Sequence, residues 1–391
     1  MERLPIFSEP DSKARVITNQ NNKTGWSVVG GKKEESSLSF VQRYNLTPRH
    51  TIARVIKGGW QLTSGDGPVD QERALEDMRL YVEAGITTFD CADIYTGVEE
   101  LIGQFLRRYR GAMEDGSLPK VQIHTKCVPD LHSLPALRRK DIEAIVDRSL
   151  QRLGVDQLDL VQFHWWDYTI PGYVEAASHL QALQKAGKIK ELGVTNFDVA
   201  HLEEILEAGI DIVSNQVQYS VLDHRPERGM VSLCQQRGLT LLCYGTVAGG
   251  LLSARYLGVP EPQPPYKNRS VAKYKLIVDD FGSWDLFQQL LTTLQELGQK
   301  HGVSIAAVAS RYILQKNGVG AVIIGARHAR HLPETVGLFG FGLDEQDLEK
   351  IDGIVQQSLG PAGDIYSVER VKGQRHAVIM NYDLNRQGRS R

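Results

Sequence analysis

The chain is poor in cysteine. Four occur in 391 residues: Cys91, Cys127, Cys234 and Cys243. So few cannot staple a chain of this length, and no two stand as C-x-x-C. That excludes a disulfide scaffold, a zinc ribbon and a thioredoxin-like motif. An excess of charge of either sign is also missing: 45 Lys plus Arg face 47 Asp plus Glu, for a net charge of -2. Such a balance gives no global attraction to nucleic acid or to an anionic membrane surface, and neither is expected as a partner. No apolar run approaches the roughly 18 to 20 residues that a membrane-spanning helix needs. A targeting leader is not expected. Met1 to Phe7 is too short and too charged for a secretory core, and Glu2, Glu9, Asp11, Glu34 and Glu35 make the opening too acidic for a transit peptide. The expected compartment is cytoplasmic, with a plastid or other organelle left open. The sequons at Asn22, Asn45 and Asn268 then read as chance. G-x-G-x-x-G, G-x-x-x-x-G-K-[ST] and H-E-x-x-H are absent, so neither the common phosphate-cradling loops nor a zinc helix is present, and no metal is expected.

What is present is ordinary globular composition, 41% hydrophobic and 24% charged, arranged in a repeating order. Residues 1–49 show no sustained periodicity and read as a weakly ordered N-terminal extension. From residue 50 the pattern alternates. TIARVIKGGWQL, ITTFDCA, KVQIHTKC, QLDLVQFHW, IKELGVTNF, IDIVSNQVQY, LTLLCYG and VGAVIIG read as eight strands. Segments with apolar residues at helical spacing follow each of them. Several of the strands are nearly continuous apolar runs, as expected where both faces are buried. Eight such units in series predict an α/β fold, a closed (β/α)8 TIM barrel over residues 50–357, in a single domain. Residues 247–283, with PEPQPPYKNRS, form an unusually long connection and read as a lid. Residues 358–391 read as a C-terminal tail with a solvated basic end.

In a barrel of this kind chemistry gathers where the strands end. In order, those ends carry Trp60; Asp90, with Tyr95 five residues on; Lys126; His164, followed by Trp165 and Trp166; Thr195 and Asn196; Gln216, near Tyr219; Tyr244; and Gly325-Ala326-Arg327. Asp, Tyr, Lys and His thus converge from three adjacent units. Tyr alone is too weak an acid for proton transfer near neutrality, and an adjacent Lys cation favours its phenolate. A buried Lys needs a counter-charge, which Asp90 supplies. His164 orients a substrate oxygen. The set suits proton donation to a carbonyl oxygen, and the matching hydride must come from a nicotinamide cofactor. The plainer alternative for Asp90 and Lys126 is an interior ion pair. Trp165 and Trp166 point to opposite faces if the strand continues, so one of them at most faces the mouth. By the same alternation Cys91 and Cys127 point away from the barrel axis and act as packing.

These residues carry a resemblance. FDCADIYTGVEELIG, HTK, DLVQFH, GVTNF and NQVQYS occur in register, and together they resemble the aldo-keto reductase family. VIIGARHARHLPET resembles that family's cofactor-adenosine segment. The resemblance covers roughly residues 50–357 and implies roles. Tyr95 is the general acid or base, Asp90 and Lys126 tune it, and His164 orients the carbonyl. Thr195, Asn196 and Gln216 bond the nicotinamide carboxamide, and Tyr244 stacks on the ring. The backbone from Gly245 to Leu252 runs along the pyrophosphate. Gly325, Arg327, His331 and Thr335 hold the adenosine end, and Trp60, Trp165 and Trp166 line an apolar substrate pocket. The adenosine segment departs from the family pattern at Gly325, Ala326, His331 and Thr335. Arg327 and Arg330 can still hold a 2′-phosphate, which favours NADP(H) over NAD(H). The partner implied is a small carbonyl or alcohol. The oligomeric state is not legible. A second reading, motivated by the long terminal segments, is a cofactor-binding regulatory subunit with little turnover.

Overall fold

A computed structural model describes residues 41–63, 69–325 and 327–387. Most of the N-terminal extension, Ala326 and the basic end of the tail lie outside the described residues. The described chain opens with an antiparallel hairpin, β1 (Arg43–Thr47) and β2 (His50–Ala53). The sequence pattern runs a single strand from Thr51 to Gly58-Gly59 and assigns residues up to 49 to the extension. The structure instead breaks that strand at Arg54, whose guanidinium donates to the carbonyls of Gly320, Leu314 and Val319 at 3.0, 2.8 and 3.1 Å. The hairpin then places Leu46 and Ile52 among Ile56, Leu160, Leu242, Ala321 and Ile323. Those five lie on barrel strands, so the hairpin plugs the end of the barrel where the strands begin. Removing each such side chain from water is worth about 1.5–3 kcal/mol.

Eight parallel strands form the closed barrel. They are β3 (Val55–Gly58), β4 (Thr88–Asp90), β5 (Gln122–Cys127), β6 (Leu158–Phe163), β7 (Ile189–Thr195), β8 (Ser214–Gln218), β9 (Thr240–Tyr244) and β10 (Val319–Gly325). The ring closes where β10 pairs with β3, Val322 opposite Val55 and Gly325 opposite Gly58. The (β/α)8 barrel expected from the alternation is the fold observed. Helices α1 (Gln71–Glu83), α2 (Val98–Arg108), α3 (Arg110–Glu114), α4 (Arg139–Leu153), α5 (Tyr173–Lys185), α6 (Val199–Glu207) and α7 (Met230–Arg237) fill the first connections. α8 (Arg269–Phe281), α9 (Trp284–His301), α10 (Ile305–Leu314), α11 (Leu332–Gly337) and α12 (Glu345–Val355) complete the layer. Their starts are set locally. Asp70, Asp198, Ser283, Ser304 and Asp344 each accept the backbone N–H three residues on, a cap worth about 1 kcal/mol. No helix among the described residues is long and apolar enough to cross a membrane.

Two segments differ from their sequence reading. The 247–283 connection, read from the sequence as a long lid, contains regular structure: two short 3-10 turns, Ala248–Gly250 and Ala254–Tyr256, lead into α8. The side chain of Asn268 starts that helix by accepting from Val271 N at 2.9 Å. The segment after residue 357, read from the sequence as a tail with a basic end, is built into the fold as far as residue 387. It forms α13 (Ser367–Arg370), α14 (Arg375–Val378) and α15 (Leu384–Gln387), and it is tied down across the strand ends. Glu369 takes Arg225 in a buried fork at 2.8 and 3.0 Å, and Asp223 holds the same guanidinium at 2.7 Å. Arg370 Nη2 donates to the carbonyls of Trp165 and Asn196 at 3.0 and 2.9 Å. No periodicity or turn signal marks these ties, because long-range charge pairs leave no local pattern.

Candidate active site

Asp90 is the last residue of β4, and Lys126 stands next to the end of β5. Their side chains meet at 2.6 Å, and both are buried. Lys126 Nζ also donates to the carbonyl of Cys91 at 2.8 Å. The second oxygen of Asp90 accepts from the amides of Gln216 and Gln162 at 2.6 and 3.0 Å. Sequence reasoning passed over Gln162, although strand alternation gives it the same inward face as His164. Burial works against the charge of Lys126 and Asp90 works for it; the net effect holds the group as ammonium, above its ordinary range. An ammonium is therefore fixed next to Tyr95, 5.0 Å from the ring centre. Trp60 packs edge-on against the same ring, at 5.1 Å.

The Tyr95 hydroxyl feels two opposed pulls. Burial raises its pKa, and the charge and hydrogen bond of Lys126 lower it. Burial wins, so the phenol stays protonated above its ordinary value. The sequence argument counted only the Lys126 contribution. His164 follows β6 directly. Its Nδ1–H donates to the carbonyl of Thr195 at 3.0 Å; a carbonyl only accepts, so this contact fixes the tautomer. Burial, aided by the Arg370 charge, pushes its pKa down to about 3. The imidazole is thus neutral, with the lone pair of Nε2 buried and without a partner among the described residues. Trp166 and Tyr366 stand edge-on to it at 4.4 and 5.6 Å.

One cavity of about 1060 Å³ joins these groups. Of the residues singled out from the sequence, it is lined by Trp60, Asp90, Tyr95, Lys126, His164 and Trp166, and by Thr195, Asn196, Gln216, Tyr244, Gly245 and Leu252. Gly325, Arg330, His331 and Thr335 line its far end. Asn196 sits at φ 61° and accepts the Tyr244 hydroxyl at 2.8 Å. Gln216 spends its amide N–H on Asp90 and Gln162, which leaves its Oε1 to offer a ligand. Beyond Tyr244, Gly245 and Gly249 take positive φ, and a Cβ on either would lie 2.9–3.0 Å from the ring of Tyr274. Glycine is required at both positions, by the positive φ and by the close approach of α8 to this backbone.

Two residues singled out from the sequence are not on the cavity wall. Trp165 does not line the cavity: it is 1% exposed, packs against Phe163 and Tyr173, and gives its indole N–H to the carbonyls of Asp167 and Ile170. Alternation puts Trp166 inward instead. Arg327 lies outside the cavity as well, beside a smaller hollow with Asp70, Arg73 and His328. Residues that sequence reasoning missed complete the walls. They are Ile94 and Val128, Lys273 and Tyr274 of α8, and Tyr366, Ile379, Met380, Asn381 and Leu384 of the C-terminal segment.

The sequence profile of the aldo/keto reductase family matches residues 54–356. The chain belongs to the aldo-keto reductase family. Among its relatives, Aldo-keto reductase YhdN of Bacillus subtilis is 26% identical over 313 residues, which is 76% of this chain and 88% of that protein. The NADH-specific methylglyoxal reductase of Escherichia coli is 25% identical over 328 residues, 76% of this chain and 93% of its own length. Among solved structures, the thermostable aldo-keto reductase Tm1743 in complex with the inhibitor epalrestat is similar at a TM-score of 0.62. Its identity is 26%, with 80% of this chain and 99% of that one covered. Membership of this family makes the chain a carbonyl–alcohol oxidoreductase that uses a nicotinamide cofactor and small carbonyl substrates.

Proposed function

We propose that this aldo-keto reductase interconverts an apolar aldehyde or ketone with its alcohol, with Tyr95 as the proton donor. The observation that carries this reading is the convergence of a protonated Tyr95, a charged Lys126 and a neutral His164 on one cavity. The cavity fits a dinucleotide. Its volume is just above the roughly 300–1,000 Å³ typical of ligand sites, and Gly245, Gly249 and Gly250 line it beyond Tyr244. Thr195, Asn196 and the free Oε1 of Gln216 would hold the carboxamide, Tyr244 would face the ring, and Gly245 to Leu252 would follow the diphosphate. When bound, the cofactor supplies the hydride.

The chain's own residues do the rest. Trp60, Trp166, Ile94 and Val128 exclude water around the carbonyl carbon. Tyr95 O–H donates to the carbonyl oxygen and releases its proton to it, while the Lys126 ammonium stabilises the phenolate left behind. Asp90 keeps Lys126 charged. In the reverse direction the alcohol hydroxyl gives its proton to the Tyr95 phenolate as the hydride leaves its carbon for the oxidised cofactor, and the neutral His164 ring packs beside it without taking that proton. NADP(H) is the preferred cofactor. This preference rests on Arg330 together with His331 and Thr335, since Arg327 lies off the cavity. A cytoplasmic location agrees with four thiols that are all unpaired and buried.

The test is to mix the purified chain with an aromatic aldehyde and either NADPH or NADH. The expected result is one alcohol formed per reduced cofactor consumed, with the higher kcat/KM for NADPH. Binding of neither cofactor, or no alcohol from a panel of aldehydes and ketones, would overturn the reading.

A further inference from the structure

Arg370 is the last residue of α13, an element outside the barrel repeat. Its guanidinium meets the rim where β6 and β7 stop pairing. The ladder between those strands ends at Phe163 opposite Val194. One residue further, His164 Nδ1–H donates to the carbonyl of Thr195 at 3.0 Å. One residue further again, the carbonyls of Trp165 and Asn196 both accept from Arg370 Nη2, at 3.0 and 2.9 Å. A single nitrogen with two hydrogens thus joins two strand ends that the ladder no longer joins. Two carbonyl oxygens brought to one point repel, and a charged donor between them turns that repulsion into two bonds.

The guanidinium is fixed from its own side as well. The preceding residue, Glu369, is buried and paired with Arg225 at 2.8 Å. The ring centres of Tyr168 and Tyr366 lie 4.3 and 5.1 Å from the guanidinium carbon. Among the described residues Arg370 makes no ion pair, and its buried Nε has no hydrogen-bond partner. A cross-link selected for stability would pair this charge with a carboxylate and satisfy that donor. Arg370 gives its charge to two neutral carbonyls instead.

What those bonds hold is the site. Asn196 lines the cavity and stands at φ 61°, a conformation that non-glycine residues adopt rarely. It persists because three bonds over-determine it. Its N–H donates to the carbonyl of Gln216 at 2.9 Å, its Oδ1 accepts the Tyr244 hydroxyl at 2.8 Å, and its carbonyl accepts Arg370. Its Nδ2 is left without a partner among the described residues. Trp165 is flanked by His164 and Trp166, and both line the same cavity. Of the three bonds that fix Asn196, the one from Arg370 comes from outside the barrel.

We propose that Arg370 is a positioning residue for hydride transfer: by bonding the carbonyls of Asn196 and Trp165 it holds the Asn196 amide, and with it the nicotinamide carboxamide, in fixed relation to His164 and Tyr95. In that step the carbonyl carbon takes the hydride, its oxygen takes the Tyr95 proton, and the two electrons come from the reduced nicotinamide, which is left oxidised. The proposal rests on the redox reading, and one arm of its test needs no turnover.

Arg370→Met, Arg370→Gln and Arg370→Lys are compared with wild type, each also on an Asn196→Gly background, which keeps φ 61° freely and lacks the amide. Met and Gln both remove the cation, so a variant that loses its thermal transition leaves the other. Misplacing reacting groups by an ångström lowers a rate by up to about a hundredfold. The expected single-turnover rate of NADPH oxidation by an aromatic aldehyde is lower by about tenfold to a hundredfold in Arg370→Met and Arg370→Gln and partly restored in Arg370→Lys. NADPH affinity should stay within about threefold, since the rest of the dinucleotide is held elsewhere. On the Asn196→Gly background the same substitutions should change the rate by less than about threefold, because the group that Arg370 positions is gone. The arm without turnover is the anisotropy decay of bound NADPH fluorescence. It should be faster in Arg370→Met than in wild type, and equally fast in Asn196→Gly with or without Arg370.

Equal rates and equal ring mobility in wild type and Arg370→Met would overturn the proposal. So would a loss that persists undiminished on the Asn196→Gly background, or failure of both charge-removing variants to fold, since either makes Arg370 a structural clip. A wild type whose bound ring is loosened by Arg370→Met but which reduces no carbonyl keeps the placement and sinks the redox reading. Carbonyl turnover that Arg370→Met leaves unchanged does the reverse, and a wild type that binds no NADPH overturns both.

Discussion

His164 shows how one hydrogen bond decides what a residue can do. With Nδ1–H committed to Thr195 and the pKa pushed down to about 3, the ring neither gains nor loses a proton near neutrality. Tyr95 is raised by burial, so it remains an acid well into the alkaline range. For carbonyl reduction the required form is the protonated one. We therefore expect kcat/KM for aldehyde reduction to stay level from about pH 5 to about pH 9, and alcohol oxidation, which needs the phenolate, to climb over the same span. A reduction profile that collapses near pH 6 to 7 would mean that His164 titrates there. The adjacent tryptophans separate packing from recognition. Trp165→Ala empties a core position and should lower the unfolding free energy by about 3–5 kcal/mol in urea titrations. Trp166→Ala should instead raise KM for an aromatic aldehyde about tenfold with a much smaller loss of stability. Their adjacency in sequence made them look equivalent; strand alternation separates them.

At the scale of elements, the barrel strands were legible because both faces of each are buried and the apolar runs show it. The helices were legible from their spacing. The hairpin was not, since β1 and β2 carry few apolar residues and are held by what lies beneath them. The C-terminal segment was not either: Tyr366, Met380 and Asn381 reach the cavity through ties that join residues over a hundred positions apart, such as Glu369 to Arg225. This tie is open to test. Glu369→Gln leaves Arg225 with Asp223 as its one remaining carboxylate in a buried setting, and breaking such a pair costs about 3–5 kcal/mol. The strain should appear locally, as faster proteolysis within residues 358–387 and a raised KM for the carbonyl, with cofactor affinity nearly unchanged. Protection equal to that of the wild type would show that the segment is held by other contacts.

For the molecule as a whole, the near-zero net charge carried little information about where charge acts. The structure concentrates Arg255, Arg269, Lys273 and Arg330 on a single cavity that, among the described residues, is lined by two carboxylates, Asp90 and Glu334. The order of strand ends foretold the Asp90, Tyr95, Lys126 and His164 cluster, because a closed parallel barrel brings every strand end to the same rim. It could not foretell the walls built by α8 and the C-terminal segment, which belong to no repeat. It also could not weigh burial against charge at Tyr95. The most direct test of the central claim is a single-turnover measurement of NADPH oxidation by an aromatic aldehyde in wild type and Tyr95→Phe. The substitution keeps the ring against Trp60 and removes only the proton. The account predicts unchanged NADPH affinity and a hydride-transfer rate lower by about 10² to 10⁴; a Tyr95→Phe rate close to wild type would contradict it.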